Sequence, residues 1–325
     1  MSKFINRIFF WLENSRIFTV PMSVFSWLVA FTFAITQGGN WFYGLLALVG
    51  ICLGQLATNL FDDYVDYKVL VNSGKLNQQT KSKCLYIKNG QATLNDVLKV
   101  VFIYCVAAFL IGFYLFLKTG YPVIIFAVLG SIFVLTYAKW STAGLGELAV
   151  GLAFGPILFG GVNWVMTQSL NKEIFIISVI VVLFTIGLLY TNAMLDFDGD
   201  MASKKRTLCC RFKDKNRALI GYSFIYGFGY GILICSVCAK ILSPIFLITI
   251  FTFPLVIELI ISMLIYNNDK DIIPPKKIWH FPFEGWNLIE NDSIKSFRFR
   301  MYQARNIMIH TSLLICIARI ISVYF

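Results

Sequence analysis

Histidine is nearly absent, with two residues in 325. A histidine-ligated metal or a histidine base therefore has little to draw on. His280 lies in a polar loop and His310 near the start of the last apolar run, and neither looks catalytic. Acids are scarce too, seventeen against 28 Lys and Arg. The short alternating segments of about 10 residues that build a membrane β-barrel are missing. Of the eight cysteines, Cys52, Cys105, Cys235, Cys238 and Cys316 sit inside apolar runs, while Cys209 and Cys210 fall in a loop placed below on the cytoplasmic side. Thiols there stay reduced, so neither disulfides nor a zinc site is expected. No cleavable leader is evident, because the first apolar run is long enough to span a bilayer and lacks an A-x-A-like site.

Apolar surface is what the chain has in excess: 58% hydrophobic residues and a mean hydropathy of +0.73. Runs of about 20 apolar residues, the length that crosses a hydrocarbon core of roughly 30 Å, recur throughout. The expectation is an all-α polytopic membrane protein with nine spans, at 17–37, 41–61, 97–117, 120–138, 145–167, 173–193, 218–241, 243–267 and 305–325, forming one transmembrane domain. A long cytoplasmic loop, 268–304, precedes the last span. It mixes bases with aromatics, which suits an interfacial amphipathic segment and equally an ordinary connector.

A net charge of +11 in a soluble protein would suggest nucleic acid, but the placement here argues for topology. With the N-terminus inside, all Lys and Arg except Lys118, Lys172, Lys240 and Arg319 fall on one side. The positive-inside rule then puts the N-terminus in the cytoplasm and the C-terminus outside, which requires an odd number of spans.

Six acids gather in two short clusters, Asp62, Asp63 and Asp66 after span 2, and Asp196, Asp198 and Asp200 after span 6. On a helix, residues 59, 62, 63 and 66 share a face, as do Asn192, Asp196 and Asp200, while Asp198 points elsewhere. A solvated helix end is the plain explanation, but it accounts poorly for two such clusters. Acids at a helix C-terminus oppose its dipole unless a cation neutralises them, and acids at a membrane edge are candidate functional groups. Hard oxygen donors from two helices suit Mg²⁺, which takes one or two carboxylates together with substrate phosphates. Bases follow the second cluster directly (Lys204, Lys205, Arg206), and further lysines follow the first. These bases also set topology and attract anionic lipid. Acids for a metal and bases for phosphate, at the mouth of an apolar bundle, describe a site for a lipid diphosphate.

The stretches NLFDDYVDY (59–67) and NAMLDFDGDMASKKRTL (192–208) resemble the two aspartate-rich motifs of the UbiA superfamily of intramembrane prenyltransferases. RIFTVPMS (16–23), TNLFDDYVDYK (58–68) and GLGELAVGLAFGPILFGGVNWVMT (144–167) are similar to segments of its 1,4-dihydroxy-2-naphthoate branch. The resemblance covers most of residues 14–215. It implies nine helices around a central cavity opening sideways to lipid, and two Mg²⁺ ions bridging the diphosphate of an isoprenyl donor. It matches Asn59, Asp63 and Asp66 to the first motif, Asn192, Asp196 and Asp200 to the second, Lys205 and Arg206 to the basic pair, and brings in Arg16. This chain departs from the pattern at Asp62, where the branch has Asn, at Leu70 and Asn72, where it has Gly and Asp, and at Lys204, where it has Gly. Asp62 is a candidate to replace the acid missing at position 72.

The expected reaction is Mg²⁺-dependent transfer of an isoprenyl chain from an allylic polyprenyl diphosphate to an aromatic acceptor, most simply dihydroxynaphthoate in menaquinone synthesis. A dry interior would keep the allylic cation from water, and aromatic faces could stabilise it, although no single aromatic stands out. Glu147, in a glycine-rich setting, is a candidate for the acceptor or diphosphate network. Tyr137 and Lys139, at the end of span 4, flank the same side, and Lys139 is a candidate phosphate contact. Rival acceptors are 4-hydroxybenzoate, homogentisate, haem precursors and glyceryl phosphate. A transporter is a remote rival, since Glu258 is the only acid well inside a span. A bacterial inner-membrane location is expected, with membrane lipids as partners and no nucleic acid.

Overall fold

The computed structural model describes residues 3–72, 84–202, 207–289 and 295–324. Among them the chain is helical, with no strand. A short helix, α1 (Lys3–Asn14), leads into α2 (Ile17–Ile35), α3 (Trp41–Asn72), α4 (Leu94–Thr119), α5 (Pro122–Thr142), α6 (Gly146–Thr167), α7 (Lys172–Leu195), α8 (Lys215–Cys238), α9 (Pro244–Asn268) and α10 (Lys295–Tyr324). Eight of these, α2–α4 and α6–α10, are long and apolar enough to cross a membrane. The remaining expected span, 120–138, falls on α5, whose apolar stretch Pro122–Tyr137 is shorter.

The interior is built by α2, α6, α7, α8, α9 and α10. Burial separates the roles: 67% of the apolar stretch of α7 is buried inside the bundle, against 6% for α4. Side chains such as Phe102, Phe109 and Phe113 on α4 point outward, as a lipid-facing helix requires. Glycine permits the closest crossings. At Gly187 and Gly221 an added Cβ would lie 2.3 Å from the Tyr226 hydroxyl and 2.2 Å from the Tyr190 hydroxyl, so α7 and α8 pack as closely as they do only because no side chain intervenes. Kinking of α6 falls where Gly155 leaves helical geometry ahead of Pro156, whose ring and missing N–H break the ladder. Away from the acid clusters, the Arg319 guanidinium ties three helices: Nη1 donates to Glu173 (3.0 and 3.1 Å), Nε donates to Thr36 Oγ1 (2.9 Å), and the group stacks on Phe33.

Three features differ from the sequence expectation. Span 2 does not end at 61; α3 runs eleven residues further, to Asn72. Hydropathy falls there, but the helix persists because α1 and residues 84–97 cover it, burying Trp11, Leu60, Cys84, Tyr86, Ile87 and Val97 together. The N-terminal tail is itself a helix, with Trp11 inward and Ile5, Ile8 and Phe9 exposed. The 268–304 segment contains short helices at Ile278–His280 and Trp286–Ile289, and its last ten residues already belong to α10.

Candidate active site at the ends of α3 and α7

Asp62 and Asp63 are adjacent carboxylates in the middle of a continuous helix, 6% and 2% exposed. The dipole argument therefore does not apply to them, because the C-terminus of α3 is a further two turns away. Their burial demands a counter-charge, and Arg16 supplies it. Its Nη2 donates to Asp63 Oδ1, and its Nη1 lies 3.6 Å from Asp62 Oδ2. Burial by itself would lower the Arg16 pKa, but Asp63 and then Asp62 hold it above its ordinary value.

Local structure aims that guanidinium. Arg16 sits at the junction of α1 and α2 with φ 59°, a left-handed conformation that costs a non-glycine residue energy and is kept only when its surroundings fix it. Two residues of α3 brace the segment that carries it. The Asn59 amide donates to Ser15 O (2.9 Å) and Thr19 Oγ1 (3.1 Å). Gln55, one turn earlier on α3, donates to Thr19 O (3.0 Å), and its carbonyl oxygen accepts from Ser23 (2.5 Å). Asn59, expected at the substrate, thus also braces the segment that carries Arg16. Gln55, Ser15 and Thr19 were not expected; the only sequence signal was that Gln55 and Asn59 stand four apart on one helix face. Cys84 Sγ donates to the Asp63 carbonyl (3.3 Å), bringing the segment after position 83 onto the same turn. Asp66 is half-buried one turn on.

The second cluster is more open. Asn192 and Asp196 are exposed, and Asp196 caps the end of α7. A further helical turn, Phe197–Ala202, follows; in it the Asp200 N–H donates to Asp196 O (2.9 Å) and the Asp200 side chain is 8% exposed. Asp198 points elsewhere, as its spacing indicates. It accepts from Lys215 (2.5 Å) and Lys270 (3.0 Å), and these hydrogen bonds hold its carboxyl below the usual range. Glu147 is half-buried and its Oε1 accepts from the Leu208 N–H (3.4 Å), so the start of α6 touches the last residue of the second motif. Tyr137 is half-buried against the core and Lys139 is exposed, both in the last turns of α5. Lys204, Lys205 and Arg206 lie outside the described residues.

The donors are carboxylate oxygens at both places, which suits a hard cation. No three of them form a closed cage among the described residues. Mg²⁺ needs none, because it fills its shell with substrate phosphates and water. Buried Asp62, Asp63 and Asp200 fit that demand, since a buried carboxylate is costly unless positive charge lies nearby.

A model of the UbiA prenyltransferase family matches residues 23–281. A 1,4-dihydroxy-2-naphthoate octaprenyltransferase of Haemophilus influenzae is 24% identical over 223 residues, 64% of this chain and 71% of that protein. A digeranylgeranylglyceryl phosphate synthase of Methanobrevibacter smithii is 24% identical over 200 residues, 60% of this chain and 65% of that protein. Among solved structures, one concerning a digeranylgeranylglyceryl phosphate synthase superimposes with a TM-score of 0.60 at 15% identity, over 97% of this chain and 99% of that one. A UbiA homologue from Archaeoglobus fulgidus, bound to GPP and Mg²⁺, superimposes with a TM-score of 0.59 at 13% identity, over 91% and 99%. At these identities the structural likenesses show the fold.

Proposed function

The chain belongs to the UbiA prenyltransferase family, and from that premise we propose that it moves an isoprenyl chain from an allylic polyprenyl diphosphate to 1,4-dihydroxy-2-naphthoate. The observation that carries the site assignment is the pair of carboxylates, Asp62 and Asp63, buried against Arg16 in the first aspartate-rich motif. The similarity to the naphthoate enzyme of Haemophilus influenzae supports the acceptor.

In this reading Asp62, Asp63 and Asp66 from α3, with Asp196 at the end of α7 and Asp200 in the turn that follows it, would hold Mg²⁺, two ions by family resemblance. When bound, the metal withdraws charge from the diphosphate and makes it a better leaving group. Arg16, Lys139, Lys205 and Arg206 add positive charge to the same oxygens, and Asn59 and Asn192 orient them. The isoprenyl chain lies in the apolar interior of the bundle. Its allylic C1–O bond breaks, diphosphate leaves with the electron pair, and C1 forms a bond to the electron-rich ring. With dihydroxynaphthoate, attack at the carboxyl-bearing carbon is completed by loss of CO₂. Bundle side chains exclude water, which would otherwise capture the cation as an alcohol. Glu147 and Tyr137 flank the acceptor end. The N-terminus lies in the cytoplasm, and the membrane is a bacterial inner membrane.

A second reading takes a glyceryl phosphate acceptor, whose hydroxyl oxygen would form an ether. The Methanobrevibacter relative favours it. One experiment separates the two. Purified protein is incubated with Mg²⁺, an allylic polyprenyl diphosphate and each of dihydroxynaphthoate, 4-hydroxybenzoate, homogentisate and glyceryl phosphate, and the products are identified by mass. The naphthoate adduct, lighter by CO₂, is expected. An ether product alone overturns the acceptor assignment, and no adduct with any acceptor overturns the reaction.

A further inference from the structure

Glu258 is the one acid deep inside a span, and the reaction does not use it. It lies ten residues before the polar end of α9 at Asn268, about 15 Å along the axis at 1.5 Å per residue. With Asn268 as the membrane edge, that depth is at most about half of a hydrocarbon core of roughly 30 Å. A carboxylate at such depth is retained only with partners. Three partners come from the segment joining α9 to α10: Lys277 Nζ donates to Oε1 (2.6 Å), Trp279 Nε1 donates to Oε2 (3.0 Å), and His280 Nε2 pairs with Oε2.

From this we infer that residues 272–286 form a re-entrant hairpin that descends from the membrane edge along α9 and α10, with its tip, Ile278–Phe281, in the acyl-chain region and clamped by Glu258. The inference needs only the membrane-spanning character of α9 and is independent of the acceptor.

Irregular backbone at membrane depth must have its polar groups satisfied by protein, and here α10 satisfies them. Asn306 Nδ2 donates to His280 O and to Pro282 O (2.7 Å), His310 Nε2 donates to Phe281 O (2.9 Å), and Arg305 Nη2 donates to Pro282 O (2.7 Å). The descending and returning limbs are held as well. Arg300, fully buried on α10, donates to Ile272 O (3.0 Å) and to Ser262 O of α9 (2.9 Å). Tyr302 Oη donates to Glu284 O (2.6 Å). Two of the hairpin's three charges are paired with ions, Lys277 with Glu258 and Glu284 with Arg305 (2.7 Å), and the third, Lys276, lies over the Trp286 ring at 4.9 Å. What the tip presents outward is apolar, with Ile278 83%, Trp279 49% and Phe281 48% exposed. Such a tip in water would be a costly patch, whereas in acyl chains it is the expected composition. His280, 4% exposed, points inward to the clamp.

The test is photolabelling of the whole protein in liposomes with two diazirines, one dissolved in the bilayer and one water-soluble and membrane-impermeant, with labelled residues located by mass spectrometry. The bilayer reagent is expected to label Ile278 and Phe281, and the aqueous reagent to miss them while labelling the Asp269–Asp271 edge. Aqueous labelling of Ile278 in the wild type overturns the hairpin. In Glu258→Gln the tip is expected to lose the bilayer label and gain the aqueous one; an unchanged pattern overturns the clamp. Lys277→Gln, which removes one partner and leaves the span intact, is expected to shift the pattern the same way if Glu258→Gln does not fold.

Discussion

Arg16→Ala removes the counter-charge of two buried carboxylates without touching either. The guanidinium forks onto both, and its own side chain is 20% exposed while those of Asp62 and Asp63 are 8% and 3% exposed. Breaking one side of a buried pair costs about 3–5 kcal/mol, because the remaining charge is stranded. Residual access of Arg16 to water puts the expected loss at the lower end, about 3 kcal/mol. At roughly 2 °C per kcal/mol for a chain of this size, the unfolding midpoint drops by roughly 6 °C. The assay is thermal unfolding in detergent after EDTA treatment, then again with Mg²⁺. Since a divalent cation can replace the lost charge, Mg²⁺ is expected to raise the midpoint of Arg16→Ala more than that of the wild type. Arg16→Lys keeps the charge, loses the fork and falls between. A midpoint of Arg16→Ala equal to the wild type in EDTA refutes the reasoning, because Asp62 and Asp63 would then not depend on Arg16.

Gly221→Ala places a Cβ 2.2 Å from the Tyr190 hydroxyl, which donates to Ala218 O at 2.6 Å. Overpacking of about 1–3 kcal/mol and a lost buried hydrogen bond of about 1–3 kcal/mol predict a loss of about 2–6 kcal/mol, read as a lower unfolding midpoint. Asp198→Asn is expected to leave prenyl transfer near the wild-type rate, since that carboxylate is committed to Lys215 and Lys270. It also reports on pH. The folded pKa of Asp198 is depressed, so its contribution to stability is present above the ordinary carboxylate value and is lost as pH falls through the lower folded value. Unfolding midpoints measured below about pH 4 should fall less steeply in Asp198→Asn than in the wild type.

Much of the fold is legible in the hydropathy of the chain, because a bilayer imposes a length on every crossing. What hydropathy cannot show is where a helix continues past the membrane. α3 runs on through Asp62 and Asp63 because α1 and residues 84–97 cover it, and α10 starts at Lys295, well before its apolar run. The acids of the site were legible because carboxylates are rare here and their i, i+3, i+4 spacing marks a face. The bracing of Arg16 by Gln55, Asn59, Ser15 and Thr19 was not, since it depends on a left-handed turn between two helices. Partners of Glu258 were equally hidden: nineteen to twenty-two residues separate it from the side chains that meet it, and only the fold brings them together.

The central claim, that the acids of α3 and those at the end of α7 work as one site, is tested most directly by diphosphate release from an allylic polyprenyl diphosphate with acceptor and Mg²⁺, measured for Asp63→Asn, Asp196→Asn and Asp198→Asn in protein that retains its unfolding midpoint. Loss of a metal-holding carboxylate should cost more than about 100-fold, the upper range for residues that merely support such ligands. Both Asp63→Asn and Asp196→Asn are predicted to lose that much, while Asp198→Asn keeps its rate. Full release by either Asp63→Asn or Asp196→Asn contradicts the account.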